Sequence, residues 1–355
     1  MKRSVRININ YANKGKLKTL DSILEESVKV VNLYIDSLWD SPNKNAKFVQ
    51  FKVSSWLSAR MLQCLGKQAL EIVKSQRKKK KKTKPIFKLP CINLDARFVD
   101  VEFDKNSFDI WLHLASIGNK IRLNIPSRKH KLFLKYQDWK QLGFIRLMKL
   151  DNKGYFIDFI YEKDEKEIQS SNQNAVGIDI GYKKLISSSS GTIYGQELKD
   201  VYTKISRKQR GSKSYQKALC QRTNETNRTI NQFINQENPT TLIVEDLKNV
   251  KHKSKLSTKF MNKLQYWTYS RTLNRLQNIT EERGISLVKV SPAYTSQQCS
   301  QCGAIDKNNR QGEKFLCTAC GYENDADLNA SLNILHRGVY SPSLPQNKQP
   351  IEIFQ

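Results

Sequence analysis

Three segments of this chain each offer a carboxylate of the kind that a phosphodiester-cleaving metal centre uses. Residues 175–181, AVGIDIG, carry one charge, Asp179, inside an apolar run. An unpaired carboxylate in such a run is costly to bury, so Asp179 either meets something cationic or points to solvent from the alternate strand face. Residues 241–246, TLIVED, repeat the pattern and bring Glu245 to the end of a second apolar strand, an edge where ligands gather in open α/β sheets. In NDADLNASLNIL, Asp325 and Asp327 precede a helix marked by Leu328, Ala330, Leu332, Ile334 and Leu335, and either acid could simply cap it. Three acids from separate segments suit two Mg²⁺ or Mn²⁺ ions about 3.5–4 Å apart, one activating water and one stabilising the leaving oxygen. The rival schemes lack their residues: there is no GxSxG, P-loop or HExxH, and His113, His130, His252 and His336 are scattered without partners.

A second chemistry is written in cysteine. Cys299-x-x-Cys302, fourteen residues, then Cys317-x-x-Cys320 is the spacing of two knuckles closing a tetrahedron of thiolates on one Zn²⁺. Gly303 and Gly321 follow the pairs and permit the tight turns. A closed four-cysteine site has no open coordination position, so its expected task is to fold a short segment next to Asp327. Cys64, Cys91 and Cys220 stand alone and read as ordinary small thiols.

The elements that must position these residues change in texture along the chain. Residues 4–10 alternate as a strand, and Leu24, Val28, Val31, Ile35 and Leu38 then recur at helical steps behind a possible cap at Asp21. A second helical stretch sets Val53, Trp56, Leu57, Met61, Cys64 and Leu65 on one face. From about Pro85 to Tyr161 short alternating runs predict an antiparallel sheet or small barrel that the first strand could join. After a polar stretch, 162–174, the order becomes strand, two short strands around Ser190 and Gly191, long basic helix, strand, helix near 262–283, strand. Pro342, Pro345 and Pro350 mark a loose, disordered tail over 338–355.

Lys plus Arg number 61 against 33 Asp plus Glu, a formal charge of +28, and nucleic acid is the natural counterweight. Candidate phosphate contacts are Arg77, Lys78, Lys79 and Lys80 in a basic run, and Arg207, Lys208, Arg210, Lys213 and Lys217 on the basic helix. Tyr34, Trp39 and Trp56 are either core residues or stacking platforms. No apolar run approaches the roughly 18 residues of a spanning helix and the N-terminus has no apolar signal core, so the expectation is a cytoplasmic, membrane-free protein, taken as a monomer.

VGIDIG, LIVEDL, SPAYTSQQCSQCG, CTACG and DADLNASLNIL, in this order, closely resemble the TnpB proteins of bacterial insertion sequences. Those are transposon-encoded, RNA-guided DNA endonucleases similar to the miniature type V CRISPR effectors. The resemblance implies a multidomain α+β chain. Residues 1–15 and 85–165 would form a wedge-like oligonucleotide-binding β-barrel, and 16–84 a helical recognition insert. Residues 174–292 and 325–337 would form a RuvC-like nuclease domain of RNase H fold, with the zinc ribbon, 293–324, inserted. It also implies Asp179, Glu245 and Asp327 as the nuclease and Mg²⁺-binding acids, with Asp325 the runner-up. A guide RNA and a double-stranded target DNA would be the partners, with a short target-adjacent motif read on the duplex. The chain departs from the family pattern at Ala326 and Ser331. Two rival readings remain: a transposase of the same fold acting without RNA, and a guided repressor with vestigial acids.

Overall fold

The computed structural model describes residues 1–41, 48–49, 51–80, 82–116, 121–151, 153–164, 174–247, 266–267 and 269–340. The chain divides into two compact units, Met1–Asp164 and Glu165–Gln355.

The first unit runs β1 (Lys2–Asn8), α1 (Lys14–Asp40), α2 (Ala59–Arg77), β2 (Cys91–Asp95), β3 (Val99–Lys105), β4 (Phe108–Ala115), β5 (Arg122–Ser127), α3 (Lys131–Lys135), β6 (Lys140–Leu150) and β7 (Gly154–Glu162). Two antiparallel sheets result, β1-β7-β6-β2 and β3-β4-β5, whose inward side chains share one core with α1 and α2. Leu20, Leu24, Val31 and Ile35 of α1 are fully buried there. Each such side chain contributes about 1.5–3 kcal/mol. Asp158, almost completely buried on β7, is met by a two-pronged pair from Arg6 opposite it on β1, at 2.7 and 2.9 Å. That arrangement satisfies both oxygens of a charge that would be costly alone.

Four expectations for this unit need correction. Helix α1 starts at the cap Asn13, whose side chain accepts from the Lys16 N–H, and not at Asp21. Asp21 lies within the helix and accepts from Lys149 Nζ and the Tyr155 hydroxyl, both at 2.6 Å. Helix α2 starts after Ser58, so Val53 and Trp56 precede it and Trp56 is exposed, while Leu57, Met61, Cys64 and Leu65 are buried as expected. His113 and His130 are not partnerless: His113 meets Asn124 and Glu102, and the His130 ring caps α3.

The second unit contains β8 (Ala175–Asp179), β9 (Ile186–Ser188), β10 (Ile193–Tyr194), α4 (Leu198–Ser206), α5 (Lys213–Glu237), β11 (Thr241–Glu245), α6 (Tyr269–Arg283), β12 (Ser286–Val290), β13 (Arg310–Gln311), β14 (Lys314–Leu316), β15 (Glu323–Asp325) and α7 (Ala326–Tyr340). Its main sheet has the order β10-β9-β8-β11-β12, with β8, β11 and β12 parallel and the short strands antiparallel. Parallel neighbours require crossovers, and α5 and α6 supply the helices that lead into β11 and β12. A small antiparallel sheet, β13-β14-β15, lies between β12 and α7 in sequence.

The expected single basic helix is two helices. Gly211, in the left-handed region at φ 84°, and the cap Ser212 break it, so Arg207, Lys208 and Arg210 sit in the connection between α4 and α5. Helix α6 starts at Tyr269, with Leu264 outside the described residues. Residues 338–340, expected in a disordered tail, are the last residues of α7, and 341–355 lie outside the described residues. No described helix is long and apolar enough to cross a membrane.

Candidate active site

Strands β8 and β11 are in parallel register from Ala175 against Thr241 to Ile178 against Val244, so Asp179 and Glu245 occupy the next rung at the same carboxyl edge. Two aromatic residues fix this edge. Trp267 donates from Nε1 to the Gly181 carbonyl at 3.0 Å, and the Tyr269 hydroxyl donates to the Glu245 carbonyl at 2.7 Å.

The third acid arrives on α7, which packs on β8 and crosses β11 at two places where only hydrogen fits. A Cβ on Gly177 would stand 2.5 Å from the Ser331 carbonyl oxygen, and one on Gly338 would stand 2.4 Å from Ile243 Cγ2. A glycine inside a strand often marks such a close backbone approach, so the signal for Gly177 was present in the sequence. The buried residues of α7 include Asn329, Ser331 and Asn333 beside Ala330 and Ile334, whereas Leu328, Leu332 and Leu335 are half-buried. Asn329 and Asn333 donate to the Gln298 carbonyl at 2.8 and 2.7 Å, and Arg337 donates to the carbonyls of Ser291 and Ala293. This polar row at every fourth residue holds the segment leading into the cysteines.

Asp325 and Asp327 do different things at the start of α7. Asp325 Oδ1 accepts from the N–H groups of Asp327 and Leu328 at 2.9 and 3.1 Å, the satisfaction of orphan donors expected of a cap. Asp327 projects from the first turn and pairs with Arg310 at 2.9 Å and Lys184 at 3.1 Å. Lys184 also reaches Asp325 at 2.9 Å.

Asp179 is the acid of this edge whose proton is held well outside the carboxylate range. Burial, then the charges of Glu245 and Asp327, push its carboxyl up to about 7, against the pull of Arg310 and the Ile180 N–H. Burial also raises Glu245, opposed by the Thr295 hydroxyl that donates to its carboxylate and by Arg337 and Arg310. Two carboxylates and a cluster of cations therefore surround a third carboxylate that forms no ion pair among the described residues. The three acids do not draw as close as metal ligands do: among the described residues, only the four cysteines have ligand atoms all within 4.8 Å of one another. A half-buried carboxylate with no ion pair of its own among the described residues, beside two others, is nevertheless a hard-oxygen donor set of the kind that Mg²⁺ or Mn²⁺ takes.

Cys299, Cys302, Cys317 and Cys320 meet as their spacing predicts, with Cys299 and Cys320 sulfurs 3.8 Å apart and those of Cys302 and Cys317 3.6 Å apart. Gly303 and Gly321 close the knuckles at φ 78° and 73°, donating to the carbonyls of Cys299 and Cys317. Burial opposes ionisation of Cys317, but the N–H groups of Cys320 and Ala319 bring its thiol down to about 7, towards the thiolate that zinc binds. The set fits one tetrahedral Zn²⁺.

The basic candidates are heterogeneous. Arg77 is engaged inside its own unit, donating to the Leu38 and Trp39 carbonyls and lying over the Trp39 ring, so it is not a free phosphate contact. Lys78, Lys79 and Lys80 are exposed beyond α2. Arg207, Arg210, Lys213 and Lys217 are exposed and Lys208 is half-buried. Tyr34 is core, Trp39 packs against the core, and Trp56 alone of the three aromatics is exposed. Lys184, Thr295 and Arg310 escaped sequence reasoning, since nothing local distinguishes them from ordinary polar residues.

A family model described as "Cas12f1-like, TNB domain" matches residues 269–334, from α6 through the cysteines into α7. The chain is 45% identical over 95 residues to the CRISPR-associated endodeoxyribonuclease Cas12f1 of Sulfoacidibacillus thermotolerans, covering 26% of this chain and 21% of that protein. It is 35% identical over 95 residues to the TnpB-like protein aq_aa05 of Aquifex aeolicus strain VF5, covering 26% and 31%. The aligned segment thus spans less than a third of either relative's own length. The cryo-EM structure of CasPhi-2 (Cas12j) bound to crRNA and phosphorothioate-DNA superposes with a TM-score of 0.54 at 10% identity, covering 98% of this chain and 93% of that one, a likeness of fold.

Proposed function

The chain belongs to the TnpB family, relatives of the miniature Cas12 effectors, and from that premise we propose that it is an RNA-guided endonuclease that hydrolyses DNA at Asp179, Glu245 and Asp327. The observation that carries this reading is the carboxyl of Asp179, held near neutrality by burial and by the two other acids, with no ion-pair partner among the described residues. Perturbed acids grouped at one strand edge are a functional-site signature. Two Mg²⁺ or Mn²⁺ ions bound by these acids would supply an activated water and a stabilised leaving oxygen.

The chain's own residues prepare that chemistry. Thr295 orients Glu245 by donating to its carboxylate, and Asp325, as the cap, holds the first turn of α7 so that Asp327 faces the other acids. Arg310 and Lys184 set fixed positive charge beside Asp327, where a phosphate would be met. In this reading one Zn²⁺ folds the ribbon, 293–324, between the two nuclease segments, 174–292 and 325–337. The first unit supplies the wedge, 1–15 and 85–165, and the recognition insert, 16–84. A guide RNA, paired to the target strand of a DNA duplex, supplies sequence, while the protein reads phosphates and a short adjacent motif.

The test is cleavage of a matched duplex in Mg²⁺ by protein purified with its RNA. Asp179→Ala, Glu245→Ala and Asp327→Ala should each abolish cutting while guided binding persists. Cutting at the parent rate by any of the three would refute the catalytic assignment. Strand joining without RNA would replace it with a transposase.

A further inference from the structure

Helices α5 and α6 run parallel, and the seam between them is stitched by arginines that find only neutral partners. Arg271 donates to Thr223 Oγ1 at 3.1 Å, Arg275 to Asn231 Oδ1 at 3.0 Å and Arg283 to Asn235 Oδ1 at 2.7 Å. Arg222, on α5, donates to the Tyr266 carbonyl at 3.1 Å. Thr223, Asn227, Asn231 and Asn235 are spaced by four and form one ridge of α5, with no acid on it.

An ion pair is the ordinary way to seat an arginine on a helix seam, and a charge-assisted bond is about twice as strong as one to a neutral acceptor. Arg228, also on α5, does have such a partner, Glu225 at 2.7 Å. The seam arginines do not, and none of the four forms an ion pair among the described residues. Four guanidiniums therefore line the seam without a carboxylate partner, Arg222 and Arg271 close enough to repel each other. Arg222 is disfavoured as a cation by its burial and then by the charge of Arg271. The buried Nε–H groups of Arg222 and Arg275 have no acceptor. A seam built only to join two helices would relieve this repulsion with an acid. One built to meet an anion would exclude acids, because they would repel it.

We propose that the α5–α6 seam is a binding site for the sugar-phosphate backbone of a nucleic-acid strand, read through Arg271, Arg275 and Arg283 with Arg222 at its head. Arg271 and Arg283 are exposed and Arg222 and Arg275 half-buried, so the charges reach solvent along the seam. From Thr223 to Asn235 the ridge is about 18 Å long at 1.5 Å per residue. That length faces about five phosphates of one duplex strand at 3.4 Å each. The neutral Thr and Asn acceptors hold each planar guanidinium by one N–H and leave its solvent-facing N–H groups for phosphate oxygens. The proposal rests on the guided-nuclease reading only for which strand is bound.

The test uses the full chain in an Asp179→Ala background, so that nothing is cut, with three probes: a 30-nucleotide single-stranded RNA, a hairpin RNA and a 30-base-pair DNA duplex. Affinity is measured across salt concentration. Arg271→Gln/Arg275→Gln/Arg283→Gln should lower the slope of log K against log salt by about 2–3 for the probe that uses the seam, at roughly 0.7–0.9 per lost phosphate contact. The probe affected identifies the strand as RNA or DNA. Arg228→Gln, whose guanidinium is already paired, should leave all three slopes unchanged. If the triple variant fails to fold, Arg271→Gln/Arg283→Gln, both at exposed positions, should lower the slope by about 1.4–1.8. Unchanged slopes for every probe, or an equal loss in Arg228→Gln, would overturn the seam. Normal seam binding in this background, with no guided cutting by the parent chain in Mg²⁺, would instead overturn the nuclease reading alone.

Discussion

Replacing Asp179 by Asn should make the metal-free protein more stable at neutral pH, the opposite of what a substitution inside a buried strand end usually does. The folded chain binds the Asp179 proton more tightly than the unfolded chain, since its carboxyl titrates at about 7 in place of the ordinary 3.8. Stability from this group is therefore greatest below pH 3.8, falls as pH rises from 3.8 to about 7, and levels off above. The whole displacement is worth up to about 4 kcal/mol. Asn keeps the shape and loses the charge, so in EDTA at pH 8 it should recover most of that. At about 2–4 °C per kcal/mol for a unit of this size, the gain is about 8–16 °C, and at pH 5.5 about half as much. The assay is thermal unfolding of parent and Asp179→Asn across pH in EDTA, then in Mg²⁺. Added Mg²⁺ should raise the parent's midpoint and leave the variant's where it was, because a ligand stabilises only the form that binds it. A variant no more stable than the parent in EDTA at pH 8, or an equal Mg²⁺ response in both, would refute the account of Asp179 as a carboxylate repelled by two neighbouring acids.

Thr295→Val should lower cleavage about 10–100-fold with guide binding unchanged, the usual cost of losing the group that orients a metal ligand, read by single-turnover kinetics. Asp325→Asn, which still caps, should leave cleavage within a few-fold and cost under about 1 kcal/mol in urea unfolding, whereas Asp327→Asn should abolish cleavage. Gly177→Ala should destabilise the second unit by about 1–3 kcal/mol, because the added methyl meets a backbone oxygen that cannot yield. Elemental analysis should give one zinc per chain, and Cys302→Ser should lose both that zinc and the protease resistance of 293–324.

Much of the site was readable from sequence because its signals are local. A charge closing an apolar strand exposed Asp179 and Glu245, and the cysteine spacing exposed the ribbon. What stayed hidden depends on distant partners: Lys184 is 143 positions from Asp327, and Thr295 is fifty from Glu245. The fold followed the same division. The sequence pattern identified the strands of the main sheet of the second unit and the buried stripe of α1, but not the three short strands β13, β14 and β15, and the start of α1 was misplaced because Asn13 caps a polar first turn that carries no apolar signal. The break between α4 and α5 was missed because the basic residues around Gly211 are as compatible with helix as with a turn. Gly177 was a legible clue left unused.

Asp325 ends the last ribbon strand, paired there with Lys314, and is at the same time the cap of α7. There is no slack between the two roles. A push on the ribbon, from a strand laid against it or from oxidation of its thiols, would reach the first turn of the helix through this one residue, so damage to the knuckles should also spoil the aim of Asp327.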